Sequence, residues 1–287
     1  MIDGVSVILR GLGFIAIFQA AGMAIFLALF QRMLTPATTL GLRRIGVGAT
    51  IVGLVLVAAH FALEPARLGG ELAAITDSGL RDIILQSSLA DAFAWRACGL
   101  LLLIVGLALP ARAGLLLSVV GALFALIAFT RTGHATTHSP GLLLAVLLFI
   151  HVAAVAFWFG SLLPLRRVAA AELPAAAARI VEAFSHLALR LVPLLVVAGI
   201  ALGILLLRDW SNLATPYGRL LVLKGALFSI LMMLAALNRR RYGPALASGK
   251  SGAVRLFNAV VMAEFALIAV ILAVTAALTM FYSPSAA

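Results

Sequence analysis

The chain has 287 residues, 64% of them hydrophobic and only 11% charged, with a mean hydropathy of +1.19. A soluble domain carries about a quarter charged residues, so a water-soluble globule, a disordered chain and a collagen are excluded. The net charge of +11 reads as basic loops of a membrane protein rather than as affinity for nucleic acid, and a single cysteine, Cys98, rules out an internal disulfide or a multi-cysteine metal cluster.

A helix crosses the bilayer with about 20 apolar residues, whereas a membrane strand needs about ten of alternating polarity. The apolar runs here are long and do not alternate, so the spans are helical. Eight are expected, roughly Val5–Phe30, Ile45–Leu63, Ala92–Leu109, Gly114–Thr130, Gly141–Leu163, Phe184–Leu207, Leu220–Asn238 and Leu256–Tyr282. The first is read as an uncleaved helix, because Asp3 precedes the only early basic residue, Arg10, and the run that follows exceeds a signal-peptide core. Between the second and third spans, Leu80, Ile83, Ile84 and Leu89 recur among polar residues. That spacing predicts a short amphipathic helix at the interface. The alanines at 175–178 are expected to extend the sixth span out of the membrane.

Alternate loops differ in charge. One set holds Arg32, Arg43, Arg44, Arg112, Arg166, Arg167, Arg179, Arg239, Arg240, Arg241, Lys250 and Arg255, and the other holds most of the acids, among them Glu64, Asp82, Asp91 and Asp209. The positive-inside rule then places both termini outside, periplasmic in a bacterium. The expected fold is all-α: a polytopic bundle of eight transmembrane helices, N-out and C-out.

In so apolar a chain, ionisable residues within spans are the informative ones, since burying them is costly. His60 closes the second span near the outer surface. His134 and His138 lie in Gly133–Pro140, the short outer link before the fifth span, and His151 lies about 16 Å into that span, near mid-membrane. Imidazole is the commonest ligand of late transition metals, and copper heads the divalent affinity order. Met280 is a soft candidate ligand, and Glu264 a cation ligand, proton carrier or ion-pair partner. Cys98 reads as a buried structural residue. Arg131 and Arg219 read as snorkelling to headgroups, while Arg10 and Arg96 sit deeper and could line a cavity for an anionic group.

Several blocks carry a resemblance. They are Gly133-His134-Ala135, His151 through Trp158, Gly160 and Pro164, Phe184-Ser185-His186, Thr215-Pro216-Tyr217-Gly218-Arg219 through Lys224, and Ala236-Leu237-Asn238-Arg239. Their order and spacing resemble the copper resistance protein D (CopD) family of bacterial inner-membrane proteins, most densely over residues 130–240, with Arg10, Gly22 and Trp95-Arg96 fitting more loosely. His186 stands where the family pattern often has arginine. The resemblance implies a single transmembrane domain over residues 1–287 that takes copper, as Cu(I) or Cu(II), from the periplasm toward the cytoplasm. It also implies a CopC-like periplasmic chaperone, here a separate chain because no β-rich segment is present.

On this reading His60, His134 and His138 capture the ion, His151 relays it, and Met280 and Glu264 complete the site. No P-loop motif is present, so ATP is not the driver. A second reading makes the chain a membrane haem-b or copper redox protein, such as a copper reductase, with His151 and one of His60, His134 or His138 as ligands and Arg10 and Arg96 beside the cofactor. A third is a copper-delivery scaffold without transport. Enzymatic activity is not expected on the first or third reading.

Overall fold

The computed structural model describes residues 1–109, 112–132, 141–207, 209–249 and 251–282, and no strand occurs among them. Helix α1 spans Ile2–Phe30 and α2 Pro36–Gly69. The short α3, Ser78–Leu85, leads into α4, Ser88–Ala108, and α5, Arg112–Ile127. Then come α6, Gly141–Ala171, α7, Pro174–Leu207, and α8, Pro216–Leu237. After a π-turn at Asn238–Tyr242, the short α9 covers Gly243–Ala247 and α10 runs Ala253–Phe281. Eight of these helices, all but α3 and α9, are long and apolar enough to cross a membrane.

Helix boundaries follow local chemistry. Thr35 caps α2 with its side chain, and Pro36 takes the first position, where its missing N–H costs nothing. Thr215 and Pro216 repeat the device at α8. Asp77 caps α3 and Ser87 caps α4. The interfacial helix therefore stops at Leu85, and Leu89 belongs to α4. The second span is longer than its apolar run: α2 continues through Pro65 to Gly70, which ends it at φ 78°. His60 accordingly lies inside the span, nine residues before its end, rather than at its close. The alanines at 175–178 do extend α7, which begins at Pro174.

Helix α1 is the hub, packing against α2, α5, α6 and α10. It alone among the spans is mostly buried, with the small residues Ala20, Ala21, Gly22 and Ala24 letting its neighbours approach closely. In lipid, where apolar burial gives no gain, close backbone approach is what holds helices together. Gly22 of α1 lies directly against Ala156 and Gly160 of α6, with no room for a Cβ on either glycine. Buried Gln19 adds a hydrogen bond from its side-chain amide to the Gly160 carbonyl, 3.1 Å away. Helices α4 and α5 meet the same way: Gly99 packs on Gly121 and Ala125, and Gly106 on Gly114 and Ser118. Seven-residue spacing on both strips keeps the small faces opposed over two turns.

The remaining helices complete two halves. α2, α4 and α5 pack on one side of α1, and α6 and α10 on the other, with α7 resting on α6 and α8 on α10. With an even number of spans, both termini lie on one face of the bundle, and the arginine-rich loops lie on the opposite face. On the arginine-rich face, buried Arg43 donates to the Leu107 carbonyl at 3.3 Å and to the Leu109 carbonyl, covering the C-terminus of α4. Glu172 accepts there from the Thr35 amide at 2.9 Å and the Thr35 hydroxyl at 2.8 Å, tying the α6–α7 turn to the α1–α2 turn.

Candidate functional site

The structure gathers polar residues at two places. The first lies in the N-terminal half, toward the face that carries the termini. Arg10 on α1, His60 on α2 and Arg96 on α4 each sit about 12–14 Å along their helices from that end, at a common depth. Glu64, one turn beyond His60, stands 3.5 Å from His60 Nε2 and accepts from Arg67 Nε at 2.8 Å. The Arg96 guanidinium lies 4.9 Å from the centre of the Phe129 ring, and that of Arg10 lies 5.5 Å from Phe14. The two rings touch each other, with centroids 5.2 Å apart. An aromatic layer thus joins the two arginines.

Neighbouring charges are already taken. Arg131, expected to reach for headgroups, stands 3.6 Å from Asp91 and covers Trp95 at 4.9 Å. Among the described residues, neither Arg10 nor Arg96 forms an ion pair. Among the described residues, the buried Nε atoms of both, together with Ser6 Oγ and His60 Nε2, have no hydrogen-bond partner.

The second place lies in the C-terminal half. His151 is ten residues into α6, and its Nδ1 stands 3.2 Å from the Leu195 carbonyl of α7. Gly199 faces the same ring, where a Cβ would come within 3.0 Å of Cε1. Lys224 of α8 is the charge that bears on this ring. His151 and Gly160 are nine residues apart, about two and a half turns, so His151 points away from α1. It therefore does not meet His60, while the other two partners of the haem reading, His134 and His138, lie outside the described residues. Deeper toward the arginine-rich face, buried Glu264 of α10 accepts from Asn238 Nδ2 at 3.2 Å. Trp158 of α6 stands beside it.

Other candidates are scattered. His134 and His138 lie outside the described residues. Met280 is half-buried near the end of α10, and His186 is exposed on α7, 3.7 Å from Glu182. Cys98 is exposed on the outer surface of α4 rather than buried, because the face turned to α5 is the one that carries Gly99, about 100° round the helix. Among the described residues, no three of His, Cys, Asp and Glu gather where they could hold a metal. Sequence reasoning missed Glu64 and Arg67 as companions of His60. Their i+4 and i+7 spacing would have revealed them had α2 been carried past Pro65.

Two family models match the chain. One, described as copper resistance protein D-like, N-terminal domain, covers residues 1–142, and the other, described as copper resistance protein D, covers residues 178–278. Arg10, His60 and Arg96 fall in the first range, and Lys224 and Glu264 in the second. His151 lies between them. No curated protein and no solved structure matches.

Proposed function

The chain belongs to the copper resistance protein D family, a family of copper-handling membrane proteins, and from that premise we propose that it carries copper inward across the bacterial inner membrane. The observation that carries the proposal is the pair of family matches, one in each half of an eight-span bundle. In the proposed orientation the face bearing both termini is periplasmic and the arginine-rich face cytoplasmic, as the loop charges favour.

The path runs through the C-terminal half. His134 and His138, in the link before α6, collect the ion with Met280 near the same face. His151 relays it near mid-membrane, and Glu264 receives it below. A CopC-like chaperone delivers copper to the outer end. His60 is crowded by Arg10, Arg67 and Arg96, which repel a cation, so this path leaves it aside. The lysine near His151 makes that station a weak one, which suits transit: an ion held tightly at mid-path would not leave. The membrane potential favours inward movement by about 2.3 kcal/mol per charge per 100 mV.

The test is copper accumulation in cells expressing the wild-type chain or His151→Ala, with membrane levels and detergent monodispersity matched. Wild type raises cell copper above vector controls, and His151→Ala returns it to near the control. Wild type without accumulation, or a fully active His151→Ala, overturns the proposal. A chain that binds copper but moves none is a scaffold.

A further inference from the structure

The N-terminal polar cluster has charge and geometry that copper transport does not use. Its cations are Arg10, Arg67 and Arg96, and its acid, Glu64, is bonded to Arg67 at 2.8 Å and stands 3.5 Å from His60. Among the described residues neither Arg10 nor Arg96 forms an ion pair, and of the two only Arg10 feels the Glu64 charge, inside an apolar bundle where an under-compensated charge is costly. The rings of Phe14 and Phe129 cover one side of the two guanidinium groups, but an aromatic face offers no oxygen. Arg10 Nε and Arg96 Nε, donors without a partner among the described residues, with Ser6 Oγ one turn nearer the terminus, call for an acceptor-rich anion. Guanidinium pairs recognise phosphate and carboxylate through parallel charge-assisted hydrogen bonds.

We propose that Arg10 and Arg96, with Ser6 and His60, form an anion-binding site in the N-terminal half of the bundle that takes a phosphate-type head, with Phe14 and Phe129 as its apolar floor. The anion neutralises the two arginines and couples α1, α2 and α4 at one depth. Because α1 is the hub of both halves, occupancy stiffens the helix against which the C-terminal path is built. Two sources offer this chemistry: the headgroup of an anionic phospholipid entering from the bilayer, and a free phosphate from solution. A cation is disfavoured by the surrounding charge, so the site is distinct in kind from any copper station.

The experiment is native mass spectrometry and thermal unfolding of the detergent-purified full chain, without copper, so that it succeeds or fails independently of transport. The additions are phosphatidylglycerol, phosphatidylcholine or inorganic phosphate. The lipid source predicts one phosphatidylglycerol retained per chain and a raised melting temperature, with no such effect from phosphatidylcholine. Arg10→Gln/Arg96→Gln weakens that binding about tenfold or more, as expected for losing charge-assisted bonds. Arg190→Gln, an exposed arginine on α7, leaves it unchanged. Arg96→Lys, which keeps the charge and fold but lacks the fork, gives an intermediate loss. If inorganic phosphate alone stabilises the chain and displaces the lipid, the site stands with the soluble ion as its ligand. Equal effects of both lipids, or anion binding undiminished in the folded Arg96→Lys and double variants, would overturn the proposal.

Discussion

The α1–α6 contact makes a sharp prediction for Gly22→Ala. A methyl at Gly22 would overlap the Ala156 carbonyl oxygen and stand 2.5 Å from Gly160 Cα and 3.0 Å from Gly160 N. Ordinary carbon contacts lie at about 3.5–4.0 Å, so the helices must part by about 1 Å. The obstacles are backbone atoms, which cannot rotate aside. Overpacking of this kind costs about 1–3 kcal/mol. The same parting stretches the buried Gln19–Gly160 hydrogen bond of 3.1 Å, adding about 1 kcal/mol. At ~2–4 °C per kcal/mol for a large domain, the melting temperature in detergent should fall by roughly 5–15 °C. Gly48→Ala is the control: its Cβ would meet nothing within 4 Å on the exposed side of α2. Replacing a helical glycine there should gain about 0.5–1 kcal/mol. Opposite signs for two identical substitutions are the signature. Gly22→Ala melting with or above wild type would refute the close α1–α6 approach.

Three further outcomes follow from other contacts. Arg43→Ala uncovers the Leu107 and Leu109 carbonyls at the end of α4, and should cost about 1–3 kcal/mol in thermal or denaturant unfolding. Burial opposes the charged form of Glu172, but hydrogen bonds from Thr38 and Thr35 outweigh it and hold its carboxyl below the usual range. The stability it adds is therefore present above the unfolded carboxylate pKa, near 4.5, and fades as pH falls further. The melting advantage of wild type over Glu172→Gln should be constant from pH 7 to 5 and shrink below. In a chain carrying Cys98→Ala, a cysteine at Ser78 should react with a membrane-impermeant maleimide in intact spheroplasts, and one at Arg240 only after permeabilisation. The reverse pattern would invert the proposed orientation.

Much of the architecture is legible one residue at a time, because the bilayer imposes a one-dimensional rule. Apolar runs long enough to cross mark the eight spans, and the arginines gather in every second loop, on one face of the bundle. The blocks around Phe184-Ser185-His186 and Thr215-Pro216 carried the family resemblance that the matches over 1–142 and 178–278 bear out. Caps such as Thr35–Pro36 and Thr215–Pro216 are local chemistry and fall where the side chains dictate.

What surrounds each polar residue is a different kind of fact. Nothing in the order of residues says that α1 is the hub, because every span is apolar and lipid competes equally for apolar faces. Shape decides, through Gly22 against Gly160 and Gly99 against Gly121. That packing fixes the rotation of each helix about its axis, which turns Cys98 outward and His151 toward α7, away from His60. It also brings Arg10, His60 and Arg96, separated by up to 86 residues in the chain, to one depth around a pair of aromatic rings. Sequence determines that these charges lie in the membrane; only the close packing of glycines determines which of them meet.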